Sequence, residues 1–309
     1  MTPLTSQVAG ELAEPVDPRV TAMAAAIAAR YGAAAQAVLF YGSCLRERQL
    51  DGLMLDFYLI VSSYPAAYGK RWLASANRLI PPNVFPFEHD GLAAKYAVLS
   101  VADFARLNSS ATRNVSVWAR FAQPSRLVWS ANELARRDIV AKVAGAIPAL
   151  LQAARPMLPD SLDSLEVWRR AFALTYAAEL RAERGTRAAS VVDLDPDRYR
   201  ALTPRALLAA GLPATVTRAG IIHFLEPMTD EERAAGERAW ARRRREGKLL
   251  TLVRLAKASA TFAGGIDYLA WKINRHAGTR IAIRPWQRRF PILGAITLLP
   301  RLLRRGAVR

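Results

Sequence analysis

Apolar runs alternate with short polar breaks through residues 38–61, VLFYGSCLRERQLDGLMLDFYLIV. Val38, Leu39 and Phe40 read as a strand that ends in a Tyr41-Gly42-Ser43 turn, and a short helix or loop follows from Cys44. Residues 53–61 are apolar almost throughout, which predicts a strand buried on both faces, with Asp56 as its one acid. Upstream, residues 18–36 read as an Ala-rich helix ending near Gly32. Downstream, 62–68 is a turn and 69–80 an amphipathic helix. It carries Trp72, Leu73, Ala76 and Leu79 or Ile80 on one face, with Lys70, Arg71 and Arg78 on a solvated one.

Pro81-Pro82 ends that helix. Residues 84–88 and 92–101 flank Asp90-Gly91, a pairing of turn and apolar runs that predicts a β-hairpin. Asp103 is placed to cap a following helix. Residues 113–131 carry Trp118, Phe121 and Trp129 and read mostly as core. Beyond about 131 helix formers dominate, and 141–158 and 162–187 read as long amphipathic helices. The acidic stretch 193–199 reads as a linker with helix caps. It has neither the Gly nor the closing Glu of a calcium loop. Thr229-Asp230-Glu231-Glu232 opens a helix that runs into Arg242–Arg245, with a second helical segment over 251–273. These patterns predict a mixed α/β (α+β) sheet domain over 1–130, a helical domain over 131–228 and a basic amphipathic tail over 229–309.

Charge sharpens the last boundary. Of the net +18, residues 241–309 supply 17 Lys/Arg against two acids, while the rest of the chain is nearly balanced. Residues 281–303, IAIRPWQRRFPILGAITLLPRLL, interleave Trp286, Phe290 and aliphatic residues with arginines. Rings and aliphatics among cations suit an anionic lipid surface, where each basic residue adds about 1 kcal/mol. Nucleic acid is not the expected partner, because there the aromatics would stand among polar neighbours. No secretory signal or transmembrane run is visible, so a peripheral position on the cytoplasmic face of a membrane is expected. A single cysteine, Cys44, excludes an internal disulfide framework.

The candidate chemistry sits in the first patterned stretch. Gly42 lets a backbone approach a ligand closely, and Ser43 offers a hydroxyl and an N–H. Asp56 inside an apolar strand needs a partner or a metal. Lys95 shares a strand face with Ala97, Leu99 and Val101 and needs an anion or a route to solvent. A phosphate-holding turn and a strand-borne carboxylate are the minimum for Mg²⁺-dependent nucleotidyl transfer.

Gly42-Ser43 followed by Met54-Leu55-Asp56-Phe57 resembles the nucleotidyltransferase superfamily. The longer order adds Phe40-Tyr41 before the turn, then Lys95-Tyr96-Ala97-Val98-Leu99-Ser100 and Tyr176-Ala177-Ala178-Glu179-Leu180-Arg181. That order resembles the mitochondrial translocator-assembly-and-maintenance type of phosphatidate cytidylyltransferase. The resemblance implies a nucleotidyltransferase-like sheet domain and synthesis of CDP-diacylglycerol from CTP and phosphatidic acid with Mg²⁺. It implies Gly42, Ser43, Arg46 and Lys95 at the nucleotide, Asp56 and Glu179 at the metal, and Asp56, Lys95 and Glu179 in catalysis. The chain departs from the usual Asp-x-Asp, since Met54 or Tyr58 stands where the second acid would be, and Glu179 would supply the missing carboxylate. Two other functions remain open: nucleotidyl transfer to a soluble or nucleic-acid acceptor, and a non-catalytic lipid-binding scaffold.

Overall fold

A computed structural model describes residues 1–47, 50, 52–179, 191–261 and 283–285. The chain opens with helices α1 (Pro3–Ala13) and α2 (Pro18–Ala29). Each has Pro at its start and a side-chain cap, Thr2 accepting from the Thr5 N–H and Asp17 from the Arg19 N–H. Strand β1 (Ala35–Tyr41), the short helix α3 (Ser43–Glu47) and strand β2 (Met54–Val61) follow. Then come α4 (Tyr64–Ala67), α5 (Arg71–Leu79), β3 (Asn83–His89), β4 (Leu92–Ser100), α6 (Val101–Leu107), α7 (Trp118–Phe121) and β5 (Ser125–Ser130). The second half holds α8 (Glu133–Ala154), β6 (Ser161–Asp163), α9 (Ser164–Ala177), α10 (Pro196–Ala209), β7 (Ala214–Val216), β8 (Ile221–Phe224) and α11 (Asp230–Thr261).

The sheet is mixed, with five strands in the order β3-β4-β2-β1-β5. Only β2 and β4 are parallel to each other. This is the mixed α/β class that the patterning predicts. Period-two alternation sends the two sides of each strand into different cores. Phe40, Phe57 and Tyr96 face α2 in one apolar cluster. Leu39, Tyr58, Ala97 and Leu99 face a larger cluster that runs on into α8, α9 and α10. A second sheet, β6-β8-β7, is small. The hairpin forms as expected, with Asp90 and Gly91 both at positive φ (47° and 72°), the geometry of a tight two-residue turn.

Several expectations are corrected. On α5, Trp72 and Leu79 point to solvent, 52% and 79% exposed, and only Asn77 is buried. Leu73 of the expected face does pack against the apolar cluster, and a polar anchor stands beside it: Asn77 donates to the Val98 carbonyl and the Tyr68 hydroxyl and accepts from the Asn83 N–H. The cap of α6 is Ser100, whose hydroxyl accepts from the Asp103 N–H, while the Asp103 carboxylate takes the Tyr64 hydroxyl and Arg106. The first long helix starts at Glu133, capped by Asn132. The second begins only after β6 and ends at Ala177. The helix that opens at Thr229 does not stop near Arg245 but continues through the start of the expected second segment to Thr261. The expected lipid-facing stretch 281–303 lies, apart from 283–285, outside the described residues.

Candidate functional site

Strand register builds one wall of a cleft. Tyr41 on β1 pairs with Asp56 on β2, and Asp56 pairs with Lys95 on β4, so the three form a row across adjacent strands. The Lys95 ammonium lies 3.0 Å from the Asp56 carboxylate. Gly42 follows Tyr41 at φ 99°, where L side chains rarely sit. A Cβ there would lie 3.1 Å from Asp56 Oδ2. Gly42 is therefore required twice, for its backbone angle and for the carboxylate pressed against it. Ser43 opens the five-residue α3 next to this contact. Arg46 lies on the same short helix, but its side chain is outside the described residues.

The opposite wall comes from helices. Arg120 on α7 donates to the Ser116 carbonyl and lies 3.7 Å from Glu179. Burial works against its charge, yet Tyr58, Glu179, Tyr41 and Asp56 around it outweigh that and raise its pKa above the ordinary arginine value. Glu179 and Asp56 thus act on one guanidinium. Two further cations arrive from α11. Arg254 Nε donates to the Pro81 carbonyl at 2.8 Å and its Nη1 to the Ser116 hydroxyl at 2.8 Å. Lys257 donates to the Pro82 carbonyl at 2.7 Å and to that of Ile80.

Between the walls is a cavity of about 170 Å³ lined by Tyr41, Tyr58, Lys95, Arg120, Arg254 and Lys257, among others. Pockets that enclose whole small molecules run to roughly 300–1,000 Å³. This one has room for a phosphate or two, with the remainder of a nucleotide outside. Tyr41 and Tyr58 form its aromatic floor, ring centroids 5.2 Å apart. Burial and then the Asp56 charge push the Tyr41 phenol well up, so it stays protonated and able to donate. A second cavity of about 160 Å³, beside Trp118, Gln152 and Arg243, holds none of the strand-borne residues.

The structure thus brings Gly42, Asp56 and Lys95 together, with Ser43 next in the chain. Glu179 acts on the same Arg120 guanidinium as Asp56. Sequence reasoning missed Arg120, Arg254 and Lys257. The available signal was the three-residue spacing of Arg254 and Lys257, which share a helix face, but the same residues count equally as a basic tail.

The donor set does not fit a resident Mg²⁺ ion. Among the described residues no three His, Cys, Asp or Glu side chains gather. Asp56 is taken by Lys95, and Glu179 faces Arg120. Mg²⁺ needs near-octahedral oxygen ligands, and Tyr58 stands on the cleft face where a second strand acid would sit.

No family model matches the chain. No curated protein matches it either. Among solved structures, 11 chains match. One is a nucleotidyltransferase-like protein from Exiguobacterium sibiricum, 10% identical, with 93% of this chain and 92% of that one covered and a TM-score of 0.27. A superposition that loose does not bear on activity.

Proposed function

We propose that the cleft holds the phosphates of a nucleoside triphosphate and that the chain transfers the nucleotidyl group to a phosphate acceptor. One observation carries this reading. Gly42, just past the end of β1, lies against Asp56 on β2, and Asp56 pairs with Lys95 on β4, which lines a cavity whose charged lining residues are all cations. The finer reading is phosphatidate cytidylyltransferase activity, with CTP as donor and phosphatidic acid in an anionic membrane surface as acceptor. The order of the short motifs and the cationic tail support it. Among the described residues no helix is long and apolar enough to cross a membrane, which is compatible with peripheral attachment.

In this reading an acceptor phosphate oxygen forms a bond to the α-phosphorus of CTP, and the bond from that phosphorus to the β-phosphate oxygen breaks, releasing pyrophosphate. The nucleophile is already ionised, so no side chain need take a proton. Lys95 and Arg120 offset charge on the phosphates, the preorganised electrostatic role that low-dielectric sites perform best. Asp56 orients the Lys95 ammonium. Any Mg²⁺ would arrive on the triphosphate, as part of the substrate.

A second reading has its own support. Tyr58 in place of the second acid favours a scaffold that binds phosphate or lipid without turnover. Labelled CTP or ATP, offered with vesicles containing or lacking phosphatidic acid, separates the two. The expected outcome is a CDP-lipid with equal pyrophosphate release, lost in Asp56→Asn. CTP binding without product favours the scaffold. An Asp56→Asn enzyme that works like the wild type overturns the catalytic reading.

A further inference from the structure

The last described helix belongs to the cleft, although its sequence reads as the start of a surface-seeking tail. Its first turn is set by reciprocal capping. Glu232 accepts from the Thr229 N–H at 2.8 Å, and the Thr229 hydroxyl accepts from the Glu232 N–H at 3.2 Å. Trp240 is fully buried and its indole donates to the Ala153 carbonyl at 2.8 Å. Two glycines mark where the helix touches its neighbours. A Cβ on Gly236 would fall 2.4 Å from Pro156 Cβ, and one on Gly247 would fall 2.1 Å from the Ala178 carbonyl oxygen. With three seats along its length, α11 delivers Arg254 and Lys257 to a defined place.

That place is crowded with like charge. Arg254 and Lys257 line the same cavity as Arg120 and Lys95, and the neighbouring carboxylates are Asp56 and Glu179. Two of the three Arg254 nitrogens are tied to protein oxygens. Its Nη2 is enclosed and has no hydrogen-bond partner. A buried charged donor left unsatisfied is costly, and a ligand oxygen is the natural partner. Burial, and then Arg254 beside it, lower the Lys257 pKa to about 7.

We infer that Arg254 and Lys257, together with Arg120, form a phosphate subsite carried by the helical wall, taking a tetrahedral anion such as the end of an oligophosphate chain. The guanidinium fork of Arg254 presents its unused N–H group to a phosphate oxygen, and Lys257 adds a point charge one turn on. The subsite deepens the reading of the cleft as a phosphate site and requires no transfer step.

Calorimetric titration of the full chain with pyrophosphate tests it. Arg254→Gln and Lys257→Met are each expected to weaken binding about tenfold, the worth of a charge-assisted contact. Arg137→Gln, on an exposed face of α8, serves as the charge-matched control and is expected to bind as the wild type does. Circular dichroism and thermal melting check that the variants fold. Should Arg254→Gln not fold, Arg254→Lys keeps the charge without the fork and is expected to bind several-fold more weakly. A folded Arg254→Gln or Arg254→Lys protein that binds pyrophosphate like the wild type overturns the subsite. If that variant also binds CTP normally, the strand-borne reading of the cleft stands alone. A wild-type chain that binds neither pyrophosphate nor CTP overturns both.

Discussion

The two walls of the cleft are held by different physics. The strand wall, Tyr41, Asp56 and Lys95, is fixed by ladder hydrogen bonds in a sheet with apolar clusters on both faces. Slipping one residue would send Asp56 and Lys95 into the opposite core, so burial alone enforces the register. The helical wall has no such lock. Arg120 stands on a four-residue helix, and Arg254 and Lys257 hang from the far part of α11, tied to the carbonyls of Ile80, Pro81 and Pro82. One wall is therefore a rigid template, and the other is placed by the docking of a single long helix. The strand wall should fail through backbone strain, and the helical wall through loss of seating.

The largest expected effect is at Gly42. Gly42→Val imposes a β-branched side chain at φ 99° and a Cβ 3.1 Å from Asp56 Oδ2. Conformations of this kind cost about 1–3 kcal/mol each, before the crowding is added. Denaturant titration should show a loss at or above the top of that range, and calorimetry should show no CTP binding. A variant within about 0.5 kcal/mol of wild type, the spread of ordinary surface substitutions, would show that the strand wall tolerates slack it is not expected to have.

Next in size is a lesion of the helical wall alone. Gly247→Leu puts a side chain where the Ala178 carbonyl oxygen is only 2.1 Å from the first added carbon, so α11 must move or tilt. Overpacking of this kind costs about 1–3 kcal/mol. Its signature is a split readout. Pyrophosphate binding should fall as it does in Arg254→Gln, although position 247 touches no ligand, while the near-UV circular dichroism of the sheet aromatics is retained. Loss of stability with unchanged pyrophosphate affinity would mean that α11 does not position the subsite.

The same contrast explains what the sequence disclosed. Alternation and turn chemistry are local, so β2 and the hairpin could be read from Asp56 and Asp90-Gly91 within a residue or two, while β1 starts at Ala35, three residues earlier than read and inside the stretch 18–36 expected to be helix, a helix that ends at Ala29. Lys95 could be assigned a face for the same reason. Arg254 and Lys257 sit in a run of basic residues, and helical spacing alone fits solvent, lipid and cleft equally well. What decides is a tertiary crossing, visible only where Gly236, Trp240 and Gly247 meet Pro156, Ala153 and Ala178. Trp72 and Leu79 misled in the opposite direction. Their spacing marks a helix face, but the side of α5 that turns inward is the one where Leu73 packs on the apolar cluster and Asn77 makes its hydrogen bonds.

The smallest effect is a pH dependence confined to the helical wall. Lys257 shares the cavity with Arg254 on its own helix, with Lys95, Tyr41 and Tyr58 on the strands and with Arg120 on α7; Asp56 and Glu179 lie next to these. Burial first, then the Arg254 charge, bring its pKa to about 7, whereas a lysine in the unfolded chain keeps its proton to far higher pH. Between those two values the unfolded chain binds more protons than the folded one, so the stability of the unliganded protein should rise as pH climbs past about 7. An anion paired with Lys257 favours the charged form, so anion affinity should move the other way and fall over the same interval. Sulfate keeps its own charge throughout, which makes it the cleaner probe. Its affinity should drop about two- to fivefold from one pH unit below that value to one above, since Arg120 and Arg254 stay charged. Lys257→Met should flatten the profile at the weaker level, and Lys95→Met should leave its slope in place while lowering the whole curve. A wild-type profile that is level, or that rises with pH, would separate Lys257 from the anion and leave Arg254 and Arg120 as the only cations of that wall in contact with it.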